Sequence, residues 1–387
     1  MAMIMVDSFG HYTQPFMNKK WDVVSDPNSP IPSGASITQS PTGGRFGGGG
    51  VTFTNSTSGS SGNGTQIYIQ KNYDGVTTII CGLAVKQTNT QRDPRGGRLL
   101  TFVSGNTAQV MINILESGQL RALHGVIDKG IMTIPFAVTV TPAEEVILGV
   151  STNAISSSSF DFLEFKIVHH PNTGSITVRR NGSLFWELTN VNTDPAGTGN
   201  SSSVCVGGYI SEPGEVSQAL QAVISDFHLL NTTAGGTGDP VDFIGDRHWE
   251  PLFPMADATY TEWTPDPVGD HYLNINTVPP NEARNNSTDI VGTRDTFEFE
   301  QAAGPGNASM IFAYTMYVQK DSGGSIGISG LSRSPAGGGG TDGNGTEVDV
   351  PSPYAFRQSF GFIDPDTATA WTVDGFNAAE HGYERSS

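Results

Sequence analysis

The chain has 387 residues with 48 Gly and 23 Pro, and only 15% of it is charged. That mixture excludes a helical protein held by charge pairs and fits many short strands joined by turns. A formal charge of −18 argues against a nucleic-acid partner, which would need clustered Lys and Arg, and no stretch approaches the ~20 apolar residues that span a bilayer, so no membrane insertion is expected.

The opening residues, Met1-Ala2-Met3-Ile4-Met5-Val6-Asp7, have no basic region and no long apolar run, so no signal peptide is expected. Strand-like pieces follow near Asp7 to Tyr12 and Lys20 to Val24. A glycine-rich run, Gly43-Gly44-Arg45-Phe46-Gly47-Gly48-Gly49-Gly50, precedes Val51-Thr52-Phe53. A phosphate-binding loop would need a following helix and a Lys-Ser/Thr pair. A strand pattern follows instead, so the run predicts a turn or a close backbone approach. Residues 55–65 are a polar loop, and strands are expected over 66–69, 77–85, 99–103, 109–114, 120–123, 135–140 and 146–150.

Residues 160–190 are the most informative stretch. Phe162, Glu164 and Lys166 alternate with Leu163, Phe165 and Ile167, the period of a strand with two differently used faces. Pro171-Asn172-Thr173-Gly174 marks a turn, and Ile176 and Val178 lie on a second strand. Asn181-Gly182 predicts a type I′ hairpin, which needs two positive φ angles. Leu184, Trp186 and Leu188 alternate on a third strand, making an antiparallel meander. Strands over 205–210 and 222–230 close the series. Cys81 and Cys205 sit in apolar, strand-like runs and read as buried thiols, with a disulfide between them left open. The Asn-x-Ser/Thr triplets at Asn181, Asn231 and Asn307 are what chance gives in so Asn- and Ser-rich a chain. A polar, Gly-rich linker over 231–240 then separates residues 1–230 from a smaller, loop-rich, mostly β domain over 241–387. There, strands are expected over 296–300, 310–318 and 325–328, a mobile loop over 337–345 and a short helix within 372–381.

The pieces Phe162 to Ile167, Ser175 to Arg179, Asn181-Gly182, Val206-Gly207-Gly208-Tyr209 and Ile224-Ser225-Asp226-Phe227-His228 resemble the central and terminal strands of the laminin G-like, or concanavalin A-like, jelly roll. Over nearly the whole length the chain resembles virion structural proteins of tailed bacteriophages. The carrying pieces are Val6-Asp7-Ser8-Phe9-Gly10-His11-Tyr12, Lys20-Trp21, Gly44-Arg45-Phe46-Gly47, Asp242-Phe243-Ile244-Gly245-Asp246, Tyr272-Leu273-Asn274-Ile275-Asn276, Gly292 to Phe297 and Asp364 to Thr372.

Candidate chemistry is sparse. A glycoside hydrolase needs two carboxylates about 5–10 Å apart. Glu164 has no acidic partner at strand offsets. Asp364 and Asp366 have the offset, but Pro365 and Thr367 make them a turn with a capping acid. His169 and His170 point to opposite faces of a strand before Pro171 and read as a solvated turn, not a metal pair. Asp342-Gly343-Asn344-Gly345-Thr346-Glu347 resembles half of a calcium loop but lacks the bidentate Glu and flanking helices. Trp186 and Tyr209 have the residue type of sugar-stacking aromatics, and Trp186 is in phase with Leu184 and Leu188, which favours the core.

The expectation is therefore an all-β chain, a jelly-roll β-sandwich followed by a smaller β domain, with no catalytic, cofactor-binding or metal-binding residue and no cofactor. The resemblance implies a non-enzymatic structural component of a phage virion, in the tail, baseplate or fibre attachment, forming a homo-oligomer and docking other virion proteins. A carbohydrate-binding receptor-recognition module with a host-surface glycan as ligand, a capsid decoration protein and a glycan hydrolase are the alternatives.

Overall fold

The computed structural model describes residues 3–24, 36–54, 68–88, 97–105, 107–126, 146–207, 220–232, 240–321, 323–337 and 339–387. Among the described residues 54% lie in strands and 6% in helices, so the protein is all-β as expected. It divides into two compact units. One holds the described residues up to 232 together with Pro240–Trp249, and the other holds the described residues of Glu250–Ser387. Pro240, expected to end the linker, and the segment 241–249, expected to start the second domain, thus pack with the first. Among the described residues no helix is long and apolar enough to cross a membrane.

The first unit is a jelly-roll sandwich of antiparallel strands. In chain order these are β1 (Met3–Asp7), β2 (Val23–Val24), β3 (Ser36–Ser40), β4 (Gly50–Thr54), β5 (Tyr68–Val76), β6 (Thr78–Gln87), β7 (Gly97–Ser104) and β8 (Thr107–Ile114). They continue with β9 (Gln119–Val126), β10 (Val146–Ala154), β11 (Asp161–Val168), β12 (Gly174–Arg180), β13 (Ser183–Val191), β14 (Ser201–Gly207) and β15 (Ala222–Asn231). One sheet runs β13-β12-β11-β6-β15-β4-β3, with β1 also on β15, and the other runs β10-β9-β8-β7-β14-β5-β2. The strand expected over 135–140 and the side chain of Tyr209 lie outside the described residues.

The meander forms as its sequence dictates. Asn181 and Gly182 both take positive φ, 50° and 81°, the requirement of a type I′ turn. Register then sorts the side chains. Leu163, Phe165 and Ile167 pair with Leu83, Cys81 and Ile79, and all six are fully buried on the inward face. Phe162, Glu164 and Lys166 stand on the outward face with Gly82 and His228. The second sheet contributes Leu100, Phe102, Val110, Ile112, Val204 and Val206 to the interior, while Tyr68, Val103, Ala108, Met111, Leu123 and Cys205 form a separate cluster on its other face. Cys81 is therefore in the core and Cys205 behind the opposite sheet, and both are free. Burial drives the Cys205 thiol up to about 12, so neither reacts readily.

The glycine run makes close backbone approaches, as expected. A Cβ on Gly44 would lie 2.0 Å from the Gly49 carbonyl oxygen, and one on Gly49 would lie 2.3 Å from the Gly10 nitrogen. Close by, the Asp7 carboxylate accepts from the Tyr12 hydroxyl (2.6 Å), the Trp21 indole (2.8 Å) and the Phe9 amide (2.8 Å), and pairs with Lys20 at 3.3 Å. The opening motif is thus a buried polar hub pinning the N-terminal segment.

In the second unit a six-stranded sheet runs Pro254–Thr261, Arg294–Phe299, Glu380–Arg385, Gly327–Ser334 and Thr341–Asn344, with Val348–Asp349 also on Gly327–Ser334. Phe312–Val318 pairs with Ala355–Gly361, and its Phe312, Tyr314 and Met316 pack with Trp371 and Phe376 in one core. The expected short helix is Val373–Asn377, capped by Thr372 Oγ1 accepting from the Gly375 amide. The loop expected over 337–345 is corrected: Thr341–Asn344 is a strand, because Asp342 is tied by Arg333 (2.5 Å), Arg294 (2.9 Å) and the Tyr260 hydroxyl (2.8 Å).

Candidate functional site

Four separate pieces of the chain meet on the outward face of the first sheet. The first is Glu164 on β11, which is fully buried, as is His228 on β15 beside it. Their closest atoms, Glu164 Oε1 and His228 Nε2, are 3.6 Å apart. The imidazole occupies the space over Gly82 on β6, where a Cβ would lie 2.0 Å from His228 Cε1. Glu164 is therefore not the unpartnered strand residue that the sequence suggested. Its two oxygens accept from the backbone amides of Ile244 (2.9 Å) and Gly245 (3.0 Å). These amides belong to the second piece, the strap 240–249.

The strap is fastened along its length. Lys166 meets Asp242 at 3.1 Å, and the Arg179 guanidinium lies 4.2 Å from the centre of the Phe243 ring. Further on, the Trp249 amide donates to Asp226 Oδ1 at 2.9 Å. Asp226, the third piece, sits at a register shift in β15 and takes a positive φ of 52°. Its other oxygen accepts from Arg45 Nε at 3.0 Å. Arg45, the fourth piece, reaches Asp246 through Nη1 at 2.5 Å and the Arg247 carbonyl through Nη2. Charge-assisted bonds of this kind are the strong ones, and the arginine fork satisfies three acceptors at once.

One edge of this assembly is open. Phe46 is 78% exposed, although its neighbour Arg45 is buried. It holds a left-handed φ of 57°, which a non-glycine residue adopts only at a cost. The Arg45 guanidinium lies 4.8 Å from the ring centre, and His248 meets the ring edge-on at 5.2 Å. His248 Nδ1 is 2.9 Å from Asp226 Oδ1. The carboxylate can only accept, so Nδ1 carries a proton toward it, and Nε2 has no partner among the described residues. The result is an aromatic surface beside an oriented imidazole.

The residues singled out from sequence fall elsewhere. His169 is not solvated: it is 4% exposed, with Nδ1 against the Thr193 carbonyl (3.0 Å) and Nε2 against Ser201 Oγ (2.9 Å), and burial lowers its pKa. His169 continues the inward phase of Leu163, Phe165 and Ile167 and so reaches Ser201 on the opposite sheet. His170 is exposed and caps the turn by accepting from the Asn172 and Thr173 amides. Asp364 is buried and caps its turn by accepting from the Asp366 amide at 3.0 Å. Asp342 is neutralised by two arginines, and no group of three metal-ligating side chains exists among the described residues. Trp186 is buried against Val178 and takes no part. Phe46 and His248 were missed because the glycines around Phe46 read as a turn and His248 lies beyond the assumed domain boundary. The signal was there in Gly44-Arg45-Phe46-Gly47, a bulky aromatic in a run of glycines.

No family model and no curated protein matches the chain. Among solved structures it is similar to an endo-β-1,4-glucuronan lyase from the fungus Trichoderma reesei, at 14% identity and a TM-score of 0.43, over 61% of this chain and 97% of that one. It is also similar to the alginate lyase vAL-1 from Chlorella virus, at 10% identity and a TM-score of 0.32, over 59% and 99% of the two chains. A third is the carbohydrate-binding module CBM66 from Bacillus subtilis, at 8% identity and a TM-score of 0.29, over 51% and 92%. At these identities the likeness concerns the sandwich. The expectation that the chain is not an enzyme is withdrawn: polysaccharide lyases stand among the structures it resembles, and a search for paired hydrolytic carboxylates does not bear on them.

Proposed function

We propose that the sandwich unit recognises a glycan at the Phe46 edge, and that it does so as part of a tailed-phage virion protein. The observation that carries the glycan reading is Phe46 itself, a large aromatic ring held out to solvent on strained backbone and braced by Arg45 and His248. Backbone strain kept at an exposed residue points to a use for its position. A sugar ring offers an apolar C–H face to such an aromatic, while its hydroxyls, which donate or accept, can hydrogen-bond with His248 Nε2. The virion assignment draws its support from the sequence resemblance of the opening, strap and C-terminal motifs.

The test is a glycan array with the full chain, followed by calorimetry on each hit. Wild type should bind at least one glycan, Phe46→Ala should lose it, and Phe46→Trp should retain it, all three with unchanged circular dichroism. Binding that is indifferent to Phe46→Ala would sink the assignment of the site. Incubating the same hits and assaying new reducing or unsaturated ends would reveal turnover, with His248→Ala as the control.

A further inference from the structure

At one end of the sandwich the two sheets part around a cleft of about 180 Å³. Among the described residues it is lined by Gln87 and Thr88 at the end of β6, by Glu116 and Gly118 in the β8–β9 turn, and by Ile155 and Ser157 between β10 and β11. None of these residues belongs to the Phe46 edge. The walls are fixed. The Gly118 amide donates to the Leu115 carbonyl and the Ile155 amide to the Gly118 carbonyl, each at 2.9 Å, which ties the turn to the far wall. Beyond Ile155, the Ser156 amide donates to Asp161, whose other oxygen accepts from Arg180 Nε at 2.8 Å.

Gln87 is the residue out of place. Ile79, Cys81, Leu83 and Val85 fill the inward face of β6, and period two puts Gln87 next in that series. An aliphatic side chain would close the core there. The glutamine is 5% exposed, and its Nε2 has no hydrogen-bond partner among the described residues. A buried donor left unpaired costs stability, and a local rule broken without a structural return marks a functional position.

The unpaired groups define the occupant. Deep in the cleft the Gln87 amide needs an acceptor. At the rim the exposed Glu116 carboxylate needs a donor. The neighbouring cations are engaged elsewhere: Lys86 lies over the Phe160 ring and Arg180 holds Asp161. An anionic ligand would therefore meet a carboxylate and no counter-charge. An ammonium would satisfy Glu116 but leave the Gln87 amide unpaired, because both only donate. Hydroxyl groups donate and accept, and so meet both. Ile155 adds apolar surface, and the volume lies below the roughly 300–1,000 Å³ that encloses a drug-sized ligand.

We propose that this cleft binds one neutral sugar ring, with one of its oxygens accepting from Gln87 Nε2 and a hydroxyl donating to Glu116. The site does not depend on the reading of the Phe46 edge. The test is ¹⁵N-edited NMR of the full chain, read at the side-chain NH₂ signals of Gln87, which Gln87→Met assigns by removing them. The probes are the methyl glycosides of glucose, galactose and mannose, with glucuronate as the anion and glucosamine as the cation. At least one neutral glycoside should shift the Gln87 signals saturably, and glucuronate should bind about tenfold or more weakly. Gln87→Met should melt no lower than wild type, because it removes an unpaired donor, and should lose about tenfold in affinity for that glycoside, read at the Gly118 and Ile155 amides. Glu116→Gln, at the exposed rim, should remove the discrimination against glucuronate. Gln87 signals that no neutral glycoside moves, or that glucuronate or glucosamine moves as readily, overturn the proposal. So does a Gln87→Met variant whose Gly118 and Ile155 amides respond at the wild-type concentration, or a Glu116→Gln variant that discriminates as before.

Discussion

Phe46 concentrates the tension between stability and use in one residue. A left-handed backbone costs an L-residue about 1–2 kcal/mol, and glycine escapes that cost. Phe46 is 78% exposed, so its ring returns little burial. Phe46→Gly should therefore raise the unfolding free energy by about 1 kcal/mol in urea titration while abolishing glycan binding. A variant that is less stable would mean that the ring packs for structure alone. His381 makes a second prediction at this scale. Its Nε2 faces the Phe376 carbonyl at 3.1 Å, its Nδ1 faces Ser332 Oγ at 3.1 Å, and its ring stacks on Phe376 at 4.1 Å. Burial lowers its pKa from 6.5 to about 4. The unfolded state thus binds the extra proton first as pH falls, so the stability that neutral His381 contributes is full above pH 6.5 and is lost as pH falls through 4. About 3 kcal/mol is at stake across that window. His381→Phe should flatten the pH dependence of unfolding between those limits, and an unchanged slope would exclude His381 as its source.

At the scale of elements, the strap 240–249 is the feature that organises the outward face. Glu164 holds it through two backbone amides, and hydrogen bonds to a charged group contribute about 1.5–3 kcal/mol each. Glu164→Ala should release the Ile244 and Gly245 amides, raising their hydrogen exchange about tenfold or more while β11 and β6 stay protected. Uniform loosening of the sheet would instead mean that Glu164 holds the strands. The strands themselves were readable because period-two alternation and Asn181-Gly182 are local signals. Glu164 was not, because its partners lie 64 residues away at His228 and 80 away at Ile244, and nothing in the alternation of β11 announces them. The same holds for Arg45, whose acceptors are 181 and 201 residues distant. The motif pieces Gly44-Arg45-Phe46-Gly47, Ser225-Asp226-Phe227-His228 and Asp242 to Asp246 were each visible in the sequence, and only the fold shows that they are one cluster. His169 was misread for a related reason: adjacency to a proline says that a turn is near but not which side of it a side chain falls.

For the whole molecule, the strap moves the end of the first unit. A sequence boundary at 230 follows composition, because the polar, Gly-rich stretch after β15 has the look of a linker. The contacts put the end at Trp249. A fragment 1–230 would leave Glu164, His228, Asp226 and Arg45 without the strap that covers them and would strand the Arg45 and Glu164 charges short of Asp246 and the two amides. Some of that loss is offset, since the uncovered groups regain water. A net penalty of about 2 kcal/mol corresponds to a lower melting temperature by roughly 4–8 °C for a unit of this size. Fragment 1–249 should therefore melt as a single cooperative unit above fragment 1–230 by that margin, measured by scanning calorimetry at matched concentration. The comparison also separates two roles for the strap. If the fragments melt alike but only 1–249 binds glycan, the segment serves recognition through His248 and adds nothing to the fold. If 1–230 is less stable and also fails to bind, the clamp that holds the strap and the site at Phe46 are a single structure.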